Sequence, residues 1–196
     1  MSYRDTAAGT VGAARIAADS RRPEDLVPEA AQKAALIRSQ CEAAGFGLLI
    51  YCTLRPLEQQ AILYRQGHAS SRVEMKADQL RSEGYDFLAD ILIGVGPQPT
   101  GRSVTEAGPG ESWHNYAEAF DAVPLISGRE MWNYNDAPFE WDMYGQLVRE
   151  AGMTWGGDWT KLRDYPHAQI HLESNPLWVY GPEEARAVLT ARGLLA

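Results

Sequence analysis

From Pro28 to Ala44, "PEAAQKAALIRSQCEAA" carries small or apolar residues at Ala30, Ala34, Ile37, Cys41 and Ala44. This three-and-four spacing predicts an amphipathic helix, and Gly45 stands where helices often end in a left-handed residue. "FGLLIYCTL", Phe46 to Leu54, is short and largely apolar with aromatic and β-branched members, which predicts a buried strand. Pro56 can open a helix, and "LEQQAILYRQ" continues it as far as Gly67. Arg55 is thereby placed at a strand-to-helix junction, where side chains commonly project into a cleft.

Periodicity weakens further along. "SSRVEMKADQLRSEGYDFLADILIG" has a helical look and "VGPQPTGR" reads as loop, so residues 68–100 are expected to form an insertion that folds over a site. "AFDAV" reads as a strand ending in Pro124. "FEWDMYGQLVREAG" reads as a helix ended by Gly152, and "MTW" as a short strand before a Gly-Gly turn at Gly156 and Gly157. "GPEEARAVLTARGLLA" reads as a last helix with Glu183 and Glu184 favourably placed in its first turn. Helices and short strands alternate without a regular βαβ rhythm, which predicts the α+β class. Residues 1–22 are expected to be a flexible or loosely docked arm on a single domain spanning 23–196.

The chain has four histidines. His114 and Asp121, in "SWHNYAEAFD", stand seven positions apart. On one helix they would lie about 10 Å apart along the axis, too far for one metal ion with bonds near 2 Å. On one flat strand they would point to opposite faces. They converge only across a bend, with the histidine on a loop and the aspartate on the following strand. Taken alone this spacing is a weak sign, and so is the DxxH of Asp164 and His167 in "RDYPHAQIHLE". Pro166 disfavours a helix through "DYPH" and predicts an extended turn that can aim Asp164 and His167 at one point. A carboxylate beside a metal-bound water can take its proton and pass it to a leaving amine. Both patterns in a chain so poor in histidine strengthen each other.

Composition narrows the alternatives. A length of 196 residues suits one domain with a substantial core, and 45% hydrophobic with 22% charged residues is ordinary for a soluble globular protein. A net charge of −8 supplies no basic face for nucleic acid or anionic lipid. No apolar run approaches the roughly 18 residues of a membrane span. "MSYRDTAAGTVGAARIAADSRR" lacks the apolar stretch of a secretory signal. Cys41 and Cys52 form no CxxC pair and read as buried free thiols in a reducing cytosol. A cytoplasmic protein without nucleic-acid or membrane partners is expected.

Three stretches, "LLIYCTLRPLEQQAILYRQG", "VTEAGPGESWHNYAEAFDAVP" and "WGGDWTKLRDYPHAQ", resemble in order the motifs of the zinc-dependent peptidoglycan peptidases of the M15 family. That group contains D-alanyl-D-alanine carboxypeptidases and phage L-alanyl-D-glutamate endopeptidases, and the resemblance runs from about Leu26 to Gln169. It implies a small antiparallel sheet with flanking helices, of the hedgehog and DD-peptidase type. It implies Zn2+ held by His114, Asp121 and His167, with Asp164 as the catalytic carboxylate. Arg55 matches the arginine that holds a substrate carboxylate, a task suited to a bidentate guanidinium. Ser112 and Gln60 match positions near the substrate, and Tyr64 a packing position. His171 is an extra imidazole, ranked below His167 as a ligand and assigned a substrate contact. Ala117 stands where the family has Gly, and Ala168 where it has an aromatic residue.

The aspartate of DxxH resembles the endopeptidases more than the carboxypeptidases. L-alanyl-D-glutamate endopeptidase therefore ranks first, D-alanyl-D-alanine carboxypeptidase second, and a non-catalytic zinc-containing wall-binding protein third. A monomer acting on bacterial peptidoglycan is expected, and the lack of a secretory signal suggests a lysin that waits in the cytosol and reaches the wall through a separate pore. A phage, prophage or other bacterial origin fits equally.

Overall fold

The computed structural model describes residues 17–96 and 100–195, so most of the expected arm lies outside the described residues. Helix α1, Pro28–Ala43, buries Ala30, Ala34, Ile37 and Cys41 on one stripe and stops at Gly45, whose φ is 96°. Strand β1, Gly47–Cys52, buries Leu48, Ile50 and Cys52 while the intervening residues are half-buried. It is thus a strand with one core face, not one buried on both sides, because its sheet is antiparallel and covered unequally.

The sheet is built around β2, Ala119–Ile126. Its order is β1-β2-β5-β4, with β4 at Thr154–Trp155 and β5 at His167–Gln169; two-residue β3, Arg129–Glu130, pairs with the far end of β2. Every pairing is antiparallel. β2 does not end at Pro124 but runs through it. Ala122 N–H donates to Pro166 O and Met131 N–H to Pro124 O, so even-numbered residues of β2 point their polar groups toward β5 and β3. Pairing with β5 stops at Asp121 and pairing with β3 begins at Leu125. The missing N–H of Pro124 falls in that gap, where no ladder bond is lost.

Side chains alternate across the sheet. Leu48, Ile50, Phe120, Ala122, Ala168 and Trp155 share a core with α1 and with α5, Pro138–Glu150. The opposite face of β2 and β5 presents Asp121, His167 and Gln169. A register irregularity between Ile50 and Cys52 brings Cys52 opposite Asp121; such a bulge re-aims a side chain.

Residues 68–100 carry two helices, α3 at Ser70–Ser82 and α4 at Asp86–Gly94. They pack with α2, Leu57–Arg65, and α6, Pro182–Ala191, into a second apolar cluster that also contains Trp113 and Tyr116. Val73, Ala77 and Leu80 are the residues that α3 buries there, and Leu88, Ala89 and Leu92 those that α4 buries. Each large apolar side chain so buried stabilises the fold by roughly 1.5–3 kcal/mol. Among the described residues, no helix is long and apolar enough to cross a membrane.

Candidate metal centre

His114 lies in a single 3-10 turn, Trp113–Tyr116, and Ala117 follows it at φ 60°, ψ 29°, in the left-handed region. The N–H groups of Ala117 and Glu118 fold back onto His114 O and Trp113 O, at 3.3 and 3.1 Å. This is the bend that the seven-residue spacing requires. It turns the chain from the histidine into β2 so that His114 Nε2 comes within 3.0 Å of Asp121 Oδ1. A buried alanine at positive φ costs roughly 1–2 kcal/mol, so the surrounding packing imposes the turn here without glycine.

The second imidazole arrives by register. Asp121 and His167 are direct cross-strand partners, and His167 Nδ1 lies 3.1 Å from the same Asp121 Oδ1. Before β5 the chain makes a tight turn, not the extended one expected of "DYPH", closed by His167 N–H donating to Asp164 O at 3.1 Å. Asp164 N–H donates to Gly156 O at 3.0 Å. A Cβ on Gly156 would stand 2.4 Å from Asp164 O and 3.0 Å from His167 Cβ, so only glycine allows this approach. Ligand atoms of Asp121, Asp164 and His167 all lie within 4.8 Å of one another, as do those of Cys52, His114 and Asp121.

Hydrogen-bond partners set the tautomers of both rings. His114 Nδ1 faces the backbone carbonyl of Thr53 at 3.0 Å, so it must carry the proton and Nε2 the lone pair. Gln169 Nε2 donates to the carbonyls of His171 and Glu173, each at 2.8 Å, which turns Gln169 Oε1 toward His167 Nε2 at 3.0 Å. His167 therefore donates from Nε2 and directs its Nδ1 lone pair at Asp121. In the neutral rings, two nitrogen lone pairs and a carboxylate oxygen converge with no proton between them. This set of acceptors calls for a cation. Two ligands bound about 2 Å from one tetrahedral ion stand roughly 3.3 Å apart, close to the separations found here. The residues fit a zinc ion, and Thr53 and Gln169 supply the outer hydrogen bonds that orient imidazole ligands.

The electrostatics agree with this arrangement. When no cation is present and the rings take up protons, burial pushes the Asp121 carboxyl up, but the charge of His114 and the hydrogen bonds that both imidazolium rings then donate outweigh it and hold Asp121 well below the usual carboxylate range. Burial raises Asp164, and the Asp121 charge beside it raises it further against the opposing pull of His167, His114 and Arg55. His167 is lowered by burial, yet hydrogen bonding and attraction to Asp121 leave it above its ordinary value. A bound dication would add its own field and lower all three. One carboxylate held ionised beside another pushed up toward neutrality separates a ligand from a proton carrier.

The other expected site residues are placed more variously. Arg55 sits at the β1–α2 junction, its N–H donating to His114 O at 3.0 Å. Its guanidinium donates to Asp19 Oδ2 at 3.1 Å, Gln60 Oε1 at 3.0 Å and Cys52 Sγ at 3.3 Å, and stands 3.7 Å from Asp121 Oδ2. Burial disfavours its charge, but Cys52, Asp121 and Asp19 outweigh that and raise its pKa. Gln60 is fully buried and also donates to Ala107 O at 2.7 Å, so it holds Arg55 in place. Ser112 is half-buried at the start of the 3-10 turn, where its side chain caps no backbone N–H. His171 is not brought to the cluster. Its ring stacks on Trp113 at 3.6 Å and lies 2.6 Å from Glu118 Oε2. Only its backbone carbonyl bears on the site, through Gln169.

Asp19, Cys52, Thr53 and Gln169 escaped the sequence reading. Thr53 acts through its carbonyl, which no side-chain pattern reveals, and Cys52 depends on the bulge. Gln169 lies two residues after His167, on the same face of a strand, and that spacing was a usable signal.

Residues 105–170, which span the 3-10 turn, β2 and β5, match the M15 peptidase family model described as D-alanyl-D-alanine carboxypeptidase. Over those residues the chain is similar to the M15 peptidases. It is 26% identical over 154 residues to the peptidoglycan L-alanyl-D-glutamate endopeptidase CwlK of Bacillus subtilis (strain 168), covering 76% of this chain and 75% of that protein. The L-Ala D-Glu endopeptidase ChiX of Serratia marcescens aligns over 76% of this chain and 83% of its own, at 16% identity and a TM-score of 0.42.

Proposed function

We propose that the protein is a zinc-dependent peptidoglycan endopeptidase that cuts the stem peptide between L-alanine and D-glutamate. The observation that carries the metal is the convergence of His114 Nε2 and His167 Nδ1 lone pairs on Asp121 Oδ1. The choice of bond rests on the aspartate at 164 and on the similarity to CwlK. Zinc bound there supplies a Lewis acid that polarises the scissile carbonyl and acidifies water. Asp164, pushed up by burial and by Asp121, takes a proton from the attacking water and returns it to the leaving D-glutamate amine. A C–O bond forms as the C–N bond breaks. Arg55 holds a carboxylate of the stem, with Gln60 and the His114 carbonyl fixing its position. The reading includes release of the protein to the wall as a lysin.

The description of the matched family model favours a second reading, D-alanyl-D-alanine carboxypeptidase. Defined muropeptides incubated with the zinc-loaded chain separate the two by product mass. New amino termini on D-glutamate support the endopeptidase, and free D-alanine supports the carboxypeptidase. Stoichiometric zinc with no product would sink both. Asp164→Ala should retain zinc and lose turnover; loss of zinc instead would make Asp164 a ligand.

A further inference from the structure

The arginine assigned to the substrate is covered by the chain itself. Ser20 N–H donates to Leu54 O and Thr53 N–H to Ser20 O, each at 2.8 Å, two backbone bonds to the residues that follow β1. Ser20 Oγ donates to Asp25 Oδ2 at 2.5 Å, and Thr53 Oγ1 to Arg22 O at 3.1 Å. On this frame Asp19 Oδ2 accepts from Arg55 Nε at 3.1 Å, and the Arg55 side chain is left only 14% exposed.

Two features mark the contact as replaceable. Asp19 engages the guanidinium through one oxygen, while Asp19 Oδ1 is buried with no hydrogen-bond partner among the described residues. A carboxylate that serves a fixed structural role gains from using both oxygens, and an orphaned buried acceptor is costly. Second, none of residues 17–22 is buried, so the segment has no apolar anchor and belongs to the low-stability end of the fold. A substrate carboxylate that paired with two N–H groups of Arg55 would gain what Asp19 leaves unused.

We propose that residues 17–22 form a displaceable strap in which Asp19 holds Arg55 in place of the substrate's carboxylate, and that an acidic peptide must lift the strap to bind. This rests on Arg55 being the substrate anchor. The closed strap lowers apparent affinity by the fraction of molecules that have it open. It favours peptides whose carboxylate can outcompete Asp19, so neutral peptides are excluded.

The test uses the full zinc-loaded chain and a stem peptide with its D-glutamate carboxylate either free or amidated. Asp19→Asn should lower KM for the free-carboxylate peptide about three- to tenfold without lowering kcat. Amide exchange at Ser20, followed in Asp164→Asn so that the peptide stays uncut, should speed up when the peptide binds; this measurement leaves the strap sequence native. A KM that rises or stays put in Asp19→Asn while amidation still raises it, or a Ser20 amide that stays protected in the complex, would make Asp19 a fixed partner of Arg55 and overturn the proposal. If Arg55→Lys and amidation both leave KM unmoved, the anchor reading itself fails and the strap falls with it.

Discussion

The two imidazoles reach the same oxygen of Asp121 by different means. His114 is joined to it by seven residues of chain, and its approach depends on a local turn that forces Ala117 to a positive φ. His167 is 46 residues away in sequence and arrives through strand register, opposite Asp121 on β5. The first half of the site is held by local backbone geometry and the carbonyl of Thr53. The second is held by pairing, by a glycine that admits the 164–167 turn, and by the side chain of Gln169. The local half has an outer partner that no substitution removes, whereas the long-range half hangs on replaceable side chains. It is therefore the part more easily broken.

Asp121→Ala removes what both halves share. Zinc retained after dialysis and turnover of muropeptide should both fall by more than about 100-fold, beyond the loss of any single outer hydrogen bond.

Gly156→Ala strikes the long-range half alone. The new Cβ must displace Asp164 O and His167 Cβ, so turnover should drop about 100-fold, as expected for a displacement near 1 Å. Urea unfolding should show a stability loss of about 1–3 kcal/mol. Unchanged kinetics would mean that the 164–167 turn tolerates movement.

Gln169→Leu deletes the acceptor at His167 Nε2 while leaving every ligand in place. Zinc affinity, read by competition with a chelator, should weaken about 10- to 100-fold. Gln169→Glu keeps an acceptor for that N–H and should lose less. If both substitutions weaken zinc alike, Gln169 acts by filling space, not by fixing the tautomer.

Ala117→Gly probes the local half and should have the smallest effect. Relief of roughly 1–2 kcal/mol of strain is offset by about 0.8 kcal/mol for the buried methyl and about 0.4–1 kcal/mol of added freedom in the unfolded chain. Net stability in urea should move by less than about 1 kcal/mol, with zinc binding unchanged. A stabilisation well above that would show the turn to be a larger reservoir of strain than its backbone angles suggest.

Much of the molecule was legible in the chain. The stripe of Ala30, Ala34, Ile37 and Cys41 announced α1, because a helix buries residues at its own period. The impossibility of bringing His114 and Asp121 together on one helix or one flat strand announced a bend before any turn was seen. What misled was local chemistry read without its neighbours. The apolar content of β1 suggested a buried strand, when half of its side chains are only partly covered. Pro124 looked like a strand end, because a proline is tolerated inside a strand only where the partner strands leave a gap. His171 looked available, but Trp113 and Glu118 capture its ring through contacts 58 and 53 positions away in sequence.

By itself, then, the sequence determined the longer helices and β1, the α+β class and the residue types able to carry the chemistry, since periodicity and donor atoms are properties of the chain alone. Only the tertiary structure decided that Asp121 faces both imidazoles, that Thr53 and Gln169 set their tautomers, and that Asp19 covers Arg55. Each of these depends on register or on a contact across the sheet. Because a one-residue slip in register would send a strand's side chains to the other face, the site exists only once β1, β2 and β5 have paired as they do.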